Sequence, residues 1–143
     1  MRRLAAGYAL VGMVLTVGCS DEPERPECIN LPERCDSPYP PDPPVTFEIL
    51  FTAILKPTCG STGNCHGKPQ GGLVFTNIDE SFDLLLGNVG GKARVTPGNA
   101  ECSELVVRTS DVGKDWSMPP GTPLDPPNQC AIRQWVEAGA LRQ

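Results

Sequence analysis

The stretch Cys59-Gly60-Ser61-Thr62-Gly63-Asn64-Cys65-His66-Gly67 combines two thiols with an imidazole. His66 is the only histidine in the chain of 143 residues. It directly follows Cys65, and five residues separate the two cysteines. Thiols and imidazoles are groups that bind transition metals and that hold metal cofactors in proteins. We therefore take this stretch as the candidate functional site around which the fold is built.

A cysteine pair with a histidine directly after it is the arrangement that attaches a c-type haem. Each thiol adds to a vinyl group of the porphyrin, and the imidazole coordinates the iron. The usual spacing is C-x-x-C-H, whereas this chain has C-x5-C-H, a loop that is three residues longer. The stretch predicts one covalent haem, attached through two thioethers or through one.

The apolar residues that precede this stretch recur with the period of an α-helix. They lie at i, i+3, i+4, i+7 and i+8 along one stripe: Phe47, Leu50, Phe51, Ile54 and Leu55. Thr46 is the expected N-cap and Pro57 the expected end of the helix. The spacing therefore predicts a helix whose C-terminal end reaches the cysteine pair.

Two further elements are expected between the cysteine pair and the C-terminal region. Asp79 is the expected N-cap of a helix through Asn88, which Gly87 or Gly90-Gly91 is expected to end. The segment from Ser103 to Arg108 is apolar, and its length is compatible with either a helix or a strand.

The last helix is predicted to follow Pro126-Pro127, with Asn128 as its N-cap. Its apolar stripe consists of Ile132, Trp135, Val136 and Gly139. The stripes of the first and last helices are expected to pack against each other, since each needs an apolar partner. The fold class predicted for residues 45–143 is therefore a small all-α domain with long loops.

The N-terminus has the features of an export signal. Arg2-Arg3 precedes an apolar run from Leu4 to Val17, which is too short to span a bilayer comfortably. The ending Leu15-Thr16-Val17-Gly18-Cys19 resembles the lipobox of bacterial lipoproteins. That resemblance implies that residues 1–18 are removed and that Cys19 is acylated and anchors the protein to the cell envelope. Ser20, and not Asp21, directly follows Cys19, which in this family favours sorting to the outer membrane. An ordinary cleaved signal is the alternative.

The composition changes sharply after the signal. Residues 20–44 contain eight prolines, seven acidic residues and almost no aliphatic side chains. Such a segment buries too little apolar surface to fold alone, so residues 19–44 are predicted to form a disordered tether. Cys28 and Cys35 are separated by six residues, and a local disulfide is the expectation in an oxidising compartment.

Two cysteines of the domain and the net charge of the chain carry further information. Without its signal the chain has ten basic and seventeen acidic residues, a net charge of about −7, which argues against nucleic acid as a partner. Cys102 and Cys130 are a remaining pair and are expected to form a second disulfide.

Six short motifs occur in a characteristic order. They are CHG at 65–67, GGL at 71–73, V-x-P-G at 95–98, S-x-L-V at 103–106, MPPG at 118–121 and I-x-x-W-V-x-x-G-A at 132–140. This order resembles the planctomycete-type cytochrome c domain, whose pattern recurs in myxobacterial-type lipoproteins. The resemblance covers most of the chain after Val45.

The resemblance implies a class I cytochrome c fold with one covalent haem c. Cys59 and Cys65 would form the thioethers, His66 would be the proximal iron ligand and Met118 the distal one. Met118 is the only methionine in residues 19–143. A His/Met centre suits one-electron transfer rather than catalysis. The expected function is an electron carrier, not an enzyme, with an unidentified redox protein as partner and the membrane as its anchor.

Three alternatives remain open at this point. The domain could lack haem, with a Cys59–Cys65 disulfide, and serve as a binding or scaffold lipoprotein. Zinc bound by Cys59, Cys65 and His66 is disfavoured because adjacent residues rarely ligate one zinc ion together. A haem peroxidase is disfavoured because Met118 would close the distal position and there is no second histidine.

Haem propionates would need polar partners. Lys92, Arg94 and Arg108 are candidates, and solvated surface charge is the other interpretation of each.

Overall fold

The computed structural model describes residues 24–35, 44–61, 65–69 and 71–143, with Cys65 described by its backbone alone. These residues form four α-helices and no strand: α1 (Phe47–Leu50), α2 (Ile78–Leu86), α3 (Glu104–Ser110) and α4 (Pro126–Glu137). A π-helix (Phe51–Cys59) continues α1, and a 3₁₀ turn covers Cys65–Gly67. The all-α expectation is confirmed. None of the helices in the described ranges is long and apolar enough to cross a membrane.

The first helix begins and ends for identifiable reasons. Thr46 is its N-cap, as expected, because its hydroxyl accepts a hydrogen bond of 3.3 Å from the N–H of Ile49. The expectation that Pro57 ends the helix is wrong, since Pro57 lies inside the π-helix. In an α-helix a proline lacks one hydrogen bond and clashes with the preceding turn. The wider π-turn, visible in the 3.0 Å bond from Gly60 N–H to Leu55 O, lets the helix continue past Pro57.

The core forms where α1, α2 and α4 meet. The rings of Phe47 and Trp135 have centroids 5.2 Å apart, and Phe82 lies 5.0 Å from Phe47. Most residues of the expected stripes are buried: Phe47, Leu50, Phe51, Ile54 and Leu55 on one side, Ile132, Trp135 and Val136 on the other. The expectation for Gly139 is wrong, because this residue lies beyond the end of α4 and is half-buried. The predicted packing of the first and last helices is confirmed.

The helix caps differ from the expected ones at two places. Asn77, not Asp79, caps α2, and its side chain accepts from the N–H groups of Asp79 and Glu80. Asp125, not Asn128, caps α4, because Pro126 occupies the first helical position, where no N–H is needed.

The end of α2 and the secondary structure of the apolar segment that begins at Ser103 are also defined by the structure. Gly87 ends α2 in the left-handed region with φ 76°, and a Cβ there would lie 2.8 Å from the nitrogen of Ala93. The ambiguous apolar segment is helix α3, which follows Ser103 as its N-cap.

Residues 24–35, called the strap below, lie against α3 and α4. Their cysteines form the disulfides Cys28–Cys102 and Cys35–Cys130. The expected pairs Cys28–Cys35 and Cys102–Cys130 are therefore wrong. A disulfide joins cysteines whose Cα atoms are within about 7 Å, and the folded domain, not sequence proximity, brings these pairs together.

The expectation of a disordered tether is wrong for the strap. The N–H of Ile29 donates to the carbonyl of Glu101 at 2.9 Å, and Arg133 donates to the carbonyl of Pro32 at 2.6 Å. Leu31 packs against the core. The strap cannot fold alone, but the disulfides and the domain surface supply the contacts that its composition lacks. The signal, Cys19 and residues 36–43 lie outside the described residues, so those expectations stay predictions.

Candidate functional site

The end of the π-helix and the 3₁₀ turn bring Cys59 and His66 into one loop. Cys59 is the last residue of the π-helix, and its half-buried side chain packs against the core. A Cβ on Gly67 would lie 2.9 Å from the carbonyl oxygen of Ser61, so only glycine lets the turn approach the helix end this closely. A Cβ on Gly60 would likewise overlap the carbonyl of Phe75. Sequence reasoning missed the role of Gly60, although a glycine beside a candidate site signals such an approach.

His66 is held by the extended segment that follows the loop. Its Nδ1 lies 3.2 Å from the carbonyl oxygen of Leu73, and its own carbonyl accepts from the N–H of Phe75 at 2.8 Å. The imidazole meets the Phe75 ring edge-on, with centroids 5.5 Å apart. Because a carbonyl can only accept, the imidazole proton belongs on Nδ1. The lone pair is then on Nε2, and this is the nitrogen that would coordinate a metal.

Cys59 is a thiol and not part of a disulfide. Burial disfavours the thiolate and raises the pKa of Cys59 from 9.0 to about 11. At neutral pH the folded protein therefore holds Cys59 as a neutral thiol, which is a poor nucleophile and resists oxidation. The side chain of Cys65 lies outside the described part of the chain.

The raised pKa of Cys59 predicts a loss of stability at alkaline pH in the haem-free protein. The pKa of the Cys59 thiol is 9.0 in the unfolded chain and about 11 in the folded protein. Its contribution to the free energy of unfolding is therefore complete below pH 9 and is lost between pH 9 and 11. At pH 10 the free energy of unfolding should be about 1.4 kcal/mol lower than below pH 9 because of this thiol. Urea unfolding at pH 8 and pH 10 measures it, with Cys59→Ala as the matched variant in a Cys65→Ser background. Equal pH dependence in both proteins would contradict the burial of this thiol.

Met118 lies on a different part of the fold from Cys59 and His66. It is half-buried and lies in the loop after α3, where its N–H donates to the carbonyl of Arg108 at 2.7 Å. In the same loop Nε1 of Trp116 donates to the carboxylate of Asp111 at 3.0 Å. The C-terminal end of α3 therefore places Met118, whereas the π-helix and the 3₁₀ turn place Cys59 and His66.

The three basic candidates for propionate contacts are engaged within the protein. Arg108 is 8 % exposed and its Nε donates to Glu104 at 2.9 Å, so the interpretation as solvated surface charge is wrong for this residue. Lys92 lies 3.3 Å from the same carboxylate. Arg94 donates to the carbonyls of Gly71 and Leu84.

Glu104 is a residue of this region that sequence reasoning missed. It is 5 % exposed, and its carboxylate faces Arg25 of the strap as well as Lys92 and Arg108. The i,i+4 spacing of Glu104 and Arg108 was the signal that could have identified the pair.

The described residues thus offer one thiol at the end of the π-helix, one oriented imidazole on the 3₁₀ turn and one thioether in the loop after α3. Among the side chains that the structure describes, no three or more His, Cys, Asp or Glu residues form a group that could hold a metal ion. No protein-family model, curated protein or solved structure matches the chain, so the residues of the site themselves have to indicate its function.

Proposed function

We propose that the chain is a membrane-anchored, monohaem c-type cytochrome that transfers single electrons. The observation that carries this proposal is the hydrogen bond from Nδ1 of His66 to the carbonyl of Leu73. A histidine that ligates a metal typically donates its other ring N–H to such an acceptor, which fixes the ring and raises its basicity. His66 has this arrangement directly after the cysteine pair.

The donor groups of the chain fit a covalent haem. Cys59 is not part of a disulfide, so its thiol would be available to hold a haem through a thioether bond to a vinyl group. Cys59 also packs against the apolar core, which suits the porphyrin. In this proposal Cys59 and Cys65 would attach the haem, and Nε2 of His66 and the sulfur of Met118 would bind its iron. Haem held in this way supplies a one-electron iron couple, and a Met ligand raises its potential.

Two residues of the chain would determine the ligands of the iron in this proposal. The bond to Leu73 keeps the imidazole of His66 in one tautomer and one orientation. A second axial ligand from Met118 would leave no open position for substrate, which favours electron transfer over catalysis.

The strap determines how far the domain can lie from the membrane in this proposal. Acylated Cys19 precedes Cys28 by nine residues, which reach at most about 30 Å. A free tether up to Val45 would have twenty-six residues and reach about 90 Å. Because Cys28 is joined to Cys102, the domain would stay close to its membrane, and the proposed redox partner is a protein at that same membrane.

Covalent haem content is the direct test. We expect protein expressed with haem-maturation genes to keep one haem after acid–acetone extraction, in intact mass and in the reduced pyridine haemochrome spectrum. His66→Ala should lose most of the haem because the iron loses its proximal ligand. Leu141→Ala, at a side chain that is 62 % exposed, is the control and should bind haem normally.

A colourless wild-type protein with Cys59 and Cys65 oxidised to a disulfide would overturn the proposal. It would leave the haem-free binding or scaffold lipoprotein as the function. A single retained thioether would instead appear as a shifted haemochrome band.

A further inference from the structure

We propose that Glu104 and Arg108 are positioning residues that hold the Met118 loop, residues 111–120, in place for iron ligation. This inference rests on the proposed function, because it concerns the residue proposed as the distal ligand. The role of Glu104 and Arg108 follows from the contacts that α3 makes with the loop.

Arg108 attaches the loop at two points that flank Ser117. Its backbone carbonyl accepts from the N–H of Met118 at 2.7 Å. Its Nη1 donates to the carbonyl of Trp116 at 3.1 Å. A single residue of α3 therefore sets the position of the backbone on both sides of Ser117 and immediately before the sulfur-bearing side chain.

Glu104 gives the guanidinium its direction. The carboxylate accepts from Nε of Arg108 at 2.9 Å, one helical turn earlier on the same face. A guanidinium is planar, so fixing Nε also fixes the direction in which Nη1 donates. Glu104 thus acts on the loop through Arg108 and not by touching it.

The burial of this pair is better explained by positioning than by stability. The side chains of Glu104 and Arg108 are only 6 % and 10 % exposed. Buried ion pairs give little net stability compared with apolar residues of the same size, because both charges lose their hydration. What an ion pair gives instead is a defined geometry, which a distal ligand loop requires.

The loop is closed on itself by local hydrogen bonds. The hydroxyl of Ser117 donates to the carbonyl of Asp111 at 2.6 Å and accepts from the N–H of Lys114 at 2.9 Å. Trp116 is tied to the carboxylate of Asp111. These bonds make the loop a unit, so its placement on the domain depends strongly on the attachment to Arg108.

The strap contributes to the same network. Arg25 lies 3.3 Å from Oε2 of Glu104, and Lys92 is at the same distance from that oxygen. Because the Cys28–Cys102 disulfide holds the strap next to α3, Arg25 is kept near Glu104. The contacts therefore run from the strap through Glu104 and Arg108 to the Met118 loop.

The test uses Arg108→Lys and Glu104→Gln. Lysine keeps the charge and can still pair with Glu104, but it lacks the second nitrogen that donates to the carbonyl of Trp116. Glutamine leaves only a neutral amide oxygen as the acceptor for Nε, so it weakens the charge-assisted bond that orients the guanidinium. Arg133→Lys is the matched control, because Arg133 also donates Nε to a carboxylate four residues away, that of Glu137, at 2.6 Å.

Two measurements are made on each protein. Hydrogen exchange of the haem-free protein reports the N–H of Met118, which we expect to exchange about tenfold faster in Arg108→Lys than in wild type. In the reduced haem-bound protein we expect CO binding to appear and the potential to fall, since a displaced loop releases the sulfur ligand. Arg133→Lys should match wild type in both.

The outcomes separate this inference from the proposed function. Unchanged exchange at Met118 in both variants would overturn the role of Arg108, and so would faster exchange with unchanged CO binding and potential. If Arg108→Lys does not fold, Glu104→Gln decides by the same two measurements. A colourless wild-type protein would overturn the proposed function, while exchange in that same protein still decides whether Arg108 holds the loop.

Discussion

Replacing Cys28 and Cys102 by serine is expected to lower the free energy of unfolding by about 4 kcal/mol. The two cysteines are joined across a sequence separation of 74 residues, and a crosslink over such a loop restricts the unfolded chain strongly. The same replacement also releases the strap, with its bonds to Glu101 and its ion pair to Glu104. Urea unfolding of the haem-free protein under oxidising conditions measures the loss.

The single replacements are the controls for this prediction. Cys28→Ser and Cys102→Ser should each cost about as much as the pair, because either one removes the bond. Additive single effects would contradict the disulfide.

The pairing has a direct chemical check. Trypsin cleavage after Arg34, Arg94, Arg108 and Lys114 puts each of the four strap and domain cysteines in a different peptide. A non-reducing digest should contain one crosslinked species for Cys28–Cys102 and one for Cys35–Cys130. Crosslinked Cys28–Cys35 peptides would show that the strap is a separate loop.

Replacing Trp135 by alanine is expected to cost about 4 kcal/mol. Trp135 is 1 % exposed and its ring contacts Phe47 and Phe82 where α1, α2 and α4 meet. Alanine would leave a cavity that the surrounding helices fill only partly, and the carbonyl of Leu141 would lose the 2.7 Å bond from Nε1. Thermal and urea unfolding of the haem-free protein measure the effect.

Two matched variants make this prediction specific. Trp135→Phe keeps an aromatic ring beside Phe47 and should cost less than half as much as alanine. Val112→Ala, at a side chain that is 45 % exposed, should change stability by no more than about 0.5 kcal/mol. A similar cost for Trp135→Ala and Val112→Ala would contradict the core described here.

The helices were largely predictable because helical periodicity is a local property. The positions of Phe47, Leu50 and Ile54 define one face before any partner is known, and Ile132 and Trp135 do the same near the C-terminus. The boundaries were less predictable. Pro57 did not end its helix, since a π-turn accommodated it, and Asp125 took the cap that Asn128 was expected to provide.

The residue types of the candidate site were predictable from the sequence. The hydrogen bonds and ion pairs that hold those residues were less predictable. The cysteine pair and the only histidine stand together in the chain, so their spacing alone identified them. The acceptor for Nδ1 is the backbone carbonyl of Leu73, which every residue type possesses, and no side chain pattern marks it. The contacts of Glu104 with Arg25 and Lys92 join distant segments and have no counterpart in local spacing.

Local spacing and composition were therefore enough for the helical class of the domain and for naming Cys59, Cys65 and His66 as candidates. The partners of Cys28 and Cys35 depended on which surfaces meet in space, because a disulfide needs two Cα atoms at short range and not neighbours in the chain. The composition of the strap suggested disorder because composition reports what a segment can bury alone. Docked on α3 and α4, the strap instead shares the hydrogen bonds, disulfides and apolar contacts of the folded domain.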